Sequence, residues 1–201
     1  MKMTILDRIL LLLTGLLAAW QVAIGIDAFD TLPVMAYTLG FGVLLVAGLL
    51  LIILGFDILD SPAVVIVSTL IPLSLALGLA WQYLEAYRTV ALVLAIGGFL
   101  AVSLTRLIPA PGKLPVFTLV IVHGIAGLTI FLLPIILSAS GANRPGFALV
   151  GLGGALIGLG GLLLSFLKAG KPILSRETIF KILPGLLLLM TAAFVAGFLF
   201  G

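Results

Sequence analysis

Apolar residues fill the chain in seven long runs, and short segments that hold most of the charged and turn-forming residues separate them. A helix rises about 1.5 Å per residue, so about 20 apolar residues cross the roughly 30 Å of hydrocarbon in a bilayer. The first run follows Lys2 and Arg8 and is longer than the apolar core of a signal peptide, so we expect it to be retained. The pattern predicts an all-α, polytopic integral membrane bundle of seven transmembrane helices, at residues 5–26, 34–56, 62–83, 89–107, 115–138, 146–167 and 178–200.

Composition agrees with a membrane protein and argues against an enzyme. Hydrophobic residues make up 63% of the chain and charged residues 8%, whereas a soluble domain is about one-quarter charged. The absence of cysteine excludes disulfides, thiolate zinc sites and iron–sulfur clusters. No nucleotide-binding loop, paired carboxylate site or nucleophile–base pair is present. The net charge of +3 comes from basic residues at helix ends, so it indicates membrane topology rather than nucleic-acid binding.

The Lys and Arg residues are distributed unequally between the two sides of the predicted bundle. With the amino terminus inside, eight fall on the inner side and two on the outer side, namely Lys2, Arg8, Arg106, Lys113, Lys168, Lys171, Arg176 and Lys181 against Arg88 and Arg144. Cytoplasmic loops carry such an excess, so we predict an N-in, C-out orientation in a prokaryotic plasma membrane. An aromatic belt is expected at the outer interface, from Trp20, Tyr37, Trp81, Tyr83 and Tyr87.

A shift of 112 residues aligns glycines and prolines from the two halves of the chain, namely Gly15 with Gly127, Pro33 with Pro145, Gly42 with Gly154, Gly48 with Gly160 and Pro72 with Pro184. This alignment predicts parallel repeats over residues 1–84 and 113–201, with helix 89–107 as the linker. The 3+1+3 plan is similar in topology to the SWEET sugar transporters. The chain has no Pro-Gln pair, the motif that characterises that family.

His123 is the sole histidine and lies near the middle of the fifth predicted helix. A polar ionisable group at that depth is costly, which makes it a candidate functional residue. Its imidazole suits a haem, a pigment magnesium or a quinone. The alternative is a neutral ring that holds two helices together. We expect the ring to face the protein interior, with a partner from another helix, a bound cofactor or water.

Two DxxD motifs, Asp27–Asp30 and Asp57–Asp60, resemble the paired carboxylates that hold magnesium for diphosphate substrates. One follows the first helix and the other follows the second, so the two motifs are predicted on opposite membrane faces. They therefore cannot share a metal, and helix capping explains them more simply.

Glycine and proline positions predict how the helices pack and bend. Gly154 and Gly158 form a GxxxG pair, which lets backbones approach closely, and we predict that both pack against another helix. Pro72, Pro134 and Pro184 lie within apolar runs, where each removes a backbone hydrogen bond and is expected to kink its helix.

Three functions remain open from these patterns. The few polar residues in the interior favour a non-catalytic subunit or scaffold of a larger respiratory or photosynthetic membrane assembly, with the lipid bilayer and other membrane subunits, or further copies of itself, as partners. The first alternative is a small transporter or channel built on parallel repeats, with a hydroxyl-lined path near Pro72 and Pro184. The second is a haem-, pigment- or quinone-binding protein that uses His123.

Overall fold

The computed structural model describes residues 3–26, 30–108, 112–168 and 170–201, which are helical with no strand. Over these ranges, seven helices are long and apolar enough to cross a membrane, which confirms the predicted all-helical membrane fold. They are α1 (Ile5–Ile24), α2 (Thr31–Leu54), α3 (Pro62–Tyr83), α4 (Arg88–Leu107), α5 (Leu114–Ala139), α6 (Ala148–Lys168) and α7 (Arg176–Phe200). Short 3-10 turns lie at Phe56–Asp60, Glu85–Tyr87 and Pro145–Phe147.

Local chemistry explains several helix ends. The Thr4 hydroxyl accepts a hydrogen bond from the Asp7 N–H at 3.1 Å, and the Asp7 carboxylate accepts one from the Thr4 N–H at 2.8 Å, so the pair forms a capping box for α1. Ser175 caps α7 as predicted, because its hydroxyl accepts from the Thr178 N–H. Helix α2 stops at Gly55, whose φ of +74° is a conformation that glycine adopts without steric cost.

Six of the helices form a closed ring. Each packs mainly against its neighbours in the order α1, α2, α3, α5, α6 and α7, and α7 returns to contact α1. Helix α4, the predicted linker, lies outside this ring and packs against α3 and α5. Only Val102 of α4 is buried, so most of this helix faces the surroundings of the bundle.

Aromatic side chains fill one half of the ring, which we call the aromatic half. The ring centroids of Tyr37 and Phe198 are 4.8 Å apart, and Phe41 meets Phe194 edge-on at 6.4 Å. Tyr37 is buried and donates its hydroxyl proton to Gln82 at 3.0 Å, so it belongs to the core and not to the predicted aromatic belt. This packing closes the interior toward the end of the bundle at which α3 finishes.

Candidate ligand cavity

The other half of the ring encloses a cavity of about 460 Å³, to which all six ring helices contribute. We call this part of the ring the hollow half. Along α3 the cavity extends from Ser61, at the start of the helix, to Pro72 at its middle. From Ser61 to Pro72 the helix makes eleven steps of about 1.5 Å, or about 16 Å, which is about half of the roughly 30 Å hydrocarbon thickness. The cavity is therefore about one lipid leaflet deep.

The wall of the cavity is almost entirely aliphatic. Its polar side chains are few, namely Thr14, Ser61, Ser68, Arg106, His123, Ser165 and Lys168. Two of the hydroxyls bond within their own helices, since Thr14 donates to the Leu10 carbonyl at 2.9 Å and Ser68 donates to the Val65 carbonyl at 3.1 Å. An unhydrated ion or sugar would find few partners here, so the lining suits a ligand with a large apolar portion.

His123 lies on the cavity wall, facing the interior of the bundle. Its Nδ1 lies 3.2 Å from the carbonyl oxygen of Leu119, four residues earlier in α5. A backbone carbonyl of the same helix therefore serves one ring nitrogen, and a partner from another helix, a bound cofactor or water stays a prediction for the other. Among the described residues no partner is found for Nε2, which leaves this nitrogen available to a ligand.

Two basic side chains, Arg106 and Lys168, lie at the end of the cavity farthest from the aromatic half. Arg106 is in the last turn of α4, Lys168 is in the last turn of α6, and both line the cavity. The Lys168 ammonium donates to the carbonyl oxygen of Leu59. A smaller pocket of about 300 Å³ shares Arg106 and Lys168 with the cavity and continues to Asp60 and Arg176. The cavity thus adjoins a basic patch at this end of the bundle, which we call the basic end.

Asp60 and Asp30, one from each DxxD motif, form ion pairs at opposite ends of the bundle. Asp60 accepts a 2.8 Å hydrogen bond from Arg176 at the basic end. Asp30 lies 3.7 Å from Arg88 at the other end, and Asp27 lies outside the described residues. No group of three or more His, Cys, Asp or Glu side chains that could hold a metal ion occurs in the described part of the chain.

Of the predicted glycine pair, only Gly154 lies against a neighbouring helix. A Cβ atom built on Gly154 would be 2.8 Å from the carbonyl carbon of Ile130 and 2.8 Å from the backbone nitrogen of Phe131, both in α5. A Cβ on Gly158 would meet no heavy atom within 4 Å, so the prediction is wrong for Gly158. The contact is instead extended by Gly151, one turn earlier, which lies against the Phe131 carbonyl oxygen.

The three interior prolines occupy buried positions within α3, α5 and α7. Pro72 lines the cavity, whereas Pro134 and Pro184 do not. A proline lacks the N–H that would bond to the carbonyl four residues earlier. Pro72 therefore frees the carbonyl of Ser68 on the cavity wall. Near Pro184 the cavity wall is aliphatic, because Leu183, Leu186 and Leu187 line it, and the hydroxyl path toward this proline stays a prediction.

Sequence reasoning used Arg106 and Lys168 only as markers of topology and missed that they line a cavity. A residue count cannot separate a basic side chain that points to water from one that points into a bundle. One signal was present: Arg106 precedes two further apolar residues, Leu107 and Ile108, and so lies within its apolar run rather than after it.

Comparison of the chain with protein-family models, with curated proteins and with solved structures finds no match.

Proposed function

We propose that the protein is a small membrane carrier that binds an amphipathic molecule in the hollow half of its helix ring. The observation that carries this proposal is the 460 Å³ aliphatic cavity, which reaches one end of the bundle and is closed toward the other by Tyr37, Phe41, Phe194 and Phe198. Its volume falls in the range of pockets that hold single small molecules, about 300–1,000 Å³. A binding site that is closed toward one side of the membrane is a feature of one state of an alternating-access carrier.

The ring order supports a carrier built from two parallel repeats. Two parallel repeats require that each contact in the first half has an equivalent in the second, with α1, α2 and α3 equivalent to α5, α6 and α7. The contact between α1 and α7 is then equivalent to the contact between α5 and α3, and both contacts occur. Helix α4 lies outside the ring and does not interrupt this arrangement. Carriers with such repeats place the substrate between them, which is where the cavity lies.

The hypothesis of a scaffold or complex subunit has weaker support. Helix α4 presents a large apolar face, with Val93, Ile96, Leu100 and Leu104 all exposed. In a bilayer, lipid covers such a face at no cost, so exposure alone does not call for a protein partner. A packing role also gives no reason for a cavity of this size inside the ring. We therefore place the scaffold second.

A cofactor function rests on one observation, that His123 faces the cavity with Nε2 free of partners among the described residues. A planar cofactor ligated there would have to fit among the aliphatic side chains of α3 and α5. Purified protein with a visible absorption band that His123→Leu removes would support this function over the carrier.

The orientation that we propose is N-in and C-out, in a prokaryotic plasma membrane. Three basic residues that the sequence analysis assigned to the inner side, Arg106, Lys168 and Arg176, line the same pocket. Their position at one end of the bundle supports a common side for them. The cavity would then face the cytoplasmic leaflet.

The experiment uses a matched pair of glycines in α6. Gly161 lines the cavity and a Cβ there would meet nothing within 4 Å, so Gly161→Leu places an isobutyl group in open space. Gly158 is equally open but does not line the cavity, so Gly158→Leu is the control. The purified protein in detergent is exposed to a long-chain alcohol that carries a photoreactive diazirine, and the labelled residues are mapped by peptide mass spectrometry.

We expect cavity residues to be labelled in the wild type and in Gly158→Leu, and labelling to fall severalfold in Gly161→Leu. Equal labelling of the cavity in all three proteins, or labelling only of lipid-facing residues, would refute binding. Transport is tested separately in proteoliposomes, by the rate at which a fluorescent single-chain lipid crosses the bilayer. If the lipid crosses no faster than in protein-free vesicles, the protein does not transport it, and the proposal of a carrier is refuted even where binding is observed.

A further inference from the structure

We infer that the ligand of this cavity carries an anionic head group, which Arg106 and Lys168 bind at the basic end. This inference rests on the proposed binding function and adds the chemical class of the ligand: an amphiphile about one leaflet long with a carboxylate or phosphate head.

Arg106 is the first observation. Its Nε is buried and has no hydrogen-bond partner, and the side chain makes no hydrogen bond or ion pair with any described residue. A guanidinium carries five N–H donors in a planar fork that matches a carboxylate or a phosphate. A buried donor without an acceptor is unfavourable. An anion at this point would accept from the Nε N–H and pair with the charge.

Lys168 supplies further donors beside it. Its ammonium has three donors, and the structure uses one of them, for the Leu59 carbonyl. Lys168 and Arg106 line both the cavity and the smaller pocket. Asp60, the carboxylate on this pocket, is already bound to Arg176 at 2.8 Å. The pocket thus carries three cations and one carboxylate, a formal net charge of +2.

Ordinary interfacial anchoring accounts for where these two residues lie but not for the buried Nε of Arg106. Basic side chains near helix ends commonly extend to water and complement the helix dipole, and the last-turn positions of Arg106 and Lys168 are suited to both. Arg106 is half-buried, however, and its Nε N–H is buried beside the cavity without an acceptor. This donor is where an anion in the cavity would bind.

The shape of the cavity indicates that the anion has an apolar tail. A hydrocarbon chain gains little by moving from lipid into an aliphatic cavity, because both surroundings are apolar. Selective binding must therefore come from the head group. The cavity runs about 16 Å inward from the basic end. A hydrocarbon tail that follows the cavity therefore reaches the same depth as the tail of a lipid in the adjacent leaflet.

The test compares two photoreactive probes with the same chain, a long-chain carboxylate and the corresponding alcohol. In the wild type we expect the carboxylate to label the cavity about tenfold more strongly than the alcohol, because a hydrogen bond to a charged group adds that much affinity. Arg106→Gln should bring this preference close to one. Lys168→Gln provides a second variant, which should lower the preference severalfold. Lys181→Gln is the control, because Lys181 is exposed at the same end and does not line the cavity.

The outcomes separate this inference from the proposed function. If neither probe labels the cavity, the binding function itself is wrong. If both label it equally in the wild type, or if Arg106→Gln and Lys168→Gln keep the wild-type preference, the ligand is not an anion. Competition by an alkyl phosphate of the same chain length tells whether the head is a phosphate or a carboxylate. Inorganic phosphate that displaces the probe as well as the alkyl phosphate does would refute the amphiphile in favour of a free anion.

Discussion

The contact between α6 and α5 at Gly154 gives a sharp prediction, because the chain contains its own control. Gly154 and Gly158 lie one turn apart in the same helix, and their neighbours differ completely. A Cβ at Gly154 would lie 2.8 Å from backbone atoms of Ile130 and Phe131, whereas one at Gly158 would meet nothing within 4 Å. Alanine at either position changes helix propensity equally, by about 1 kcal/mol. The difference in stability between Gly154→Ala and Gly158→Ala therefore isolates the steric effect.

The size of this effect follows from the geometry. Carbon atoms pack at about 3.5–4.0 Å, so α5 and α6 would have to move apart by roughly 1 Å to admit the methyl group. The obstructing atoms belong to the backbone and cannot rotate away as a side chain can. Overpacking of this kind costs about 1–3 kcal/mol. For a chain of this length, each kcal/mol shifts the midpoint of thermal unfolding by about 2–4 °C. We therefore expect Gly154→Ala to unfold about 6 °C below Gly158→Ala.

The assay is thermal unfolding of the purified variants in one detergent, followed by the fluorescence of the two tryptophans, Trp20 and Trp81. The wild type and both variants are measured side by side. Gly158→Ala should match or exceed the wild type, because it gains helix propensity without a clash. Equal midpoints for the two variants would show that α5 does not approach α6 at Gly154.

Three further predictions concern topology, His123 and the start of α1. Reporter fusions after Lys113 and Gly201 should report opposite sides of the membrane, the first inside and the second outside; the same side for both would contradict seven crossings. His123→Leu should leave the unfolding midpoint within a few degrees of the wild type, because the ring bonds only to its own helix among the described residues; a loss comparable to that of Gly154→Ala would show a contact that holds helices together. Thr4→Ala should lower the free energy of unfolding by about 1 kcal/mol, since it removes the side-chain acceptor of the capping box. Thr4→Ser keeps the hydroxyl and should retain most of that stability. An alanine variant as stable as the serine variant would contradict the cap.

The sequence was sufficient to predict the class of fold and the positions of the helices. A run of about 20 apolar residues has one stable arrangement in a bilayer, because every backbone N–H and C=O must be satisfied within the segment. Helix ends are also local features, since Ser175 and Gly55 act on their own turns. These properties depend on neighbours along the chain, so they could be predicted without the fold.

Which face of each helix points inward was decided only by the tertiary structure. In water, an apolar stripe marks the buried face of a helix, but in a bilayer both the lipid and the protein interior are apolar and the stripe disappears. Gly154 and Gly158 therefore look equivalent in the sequence, although only Gly154 contacts α5. Arg106 likewise resembles any basic residue at a helix end, and the burial of its Nε beside the cavity depends on where α4 meets α3 and α5. The sequence determined how many helices cross the membrane, and the packing between them determined where the cavity lies.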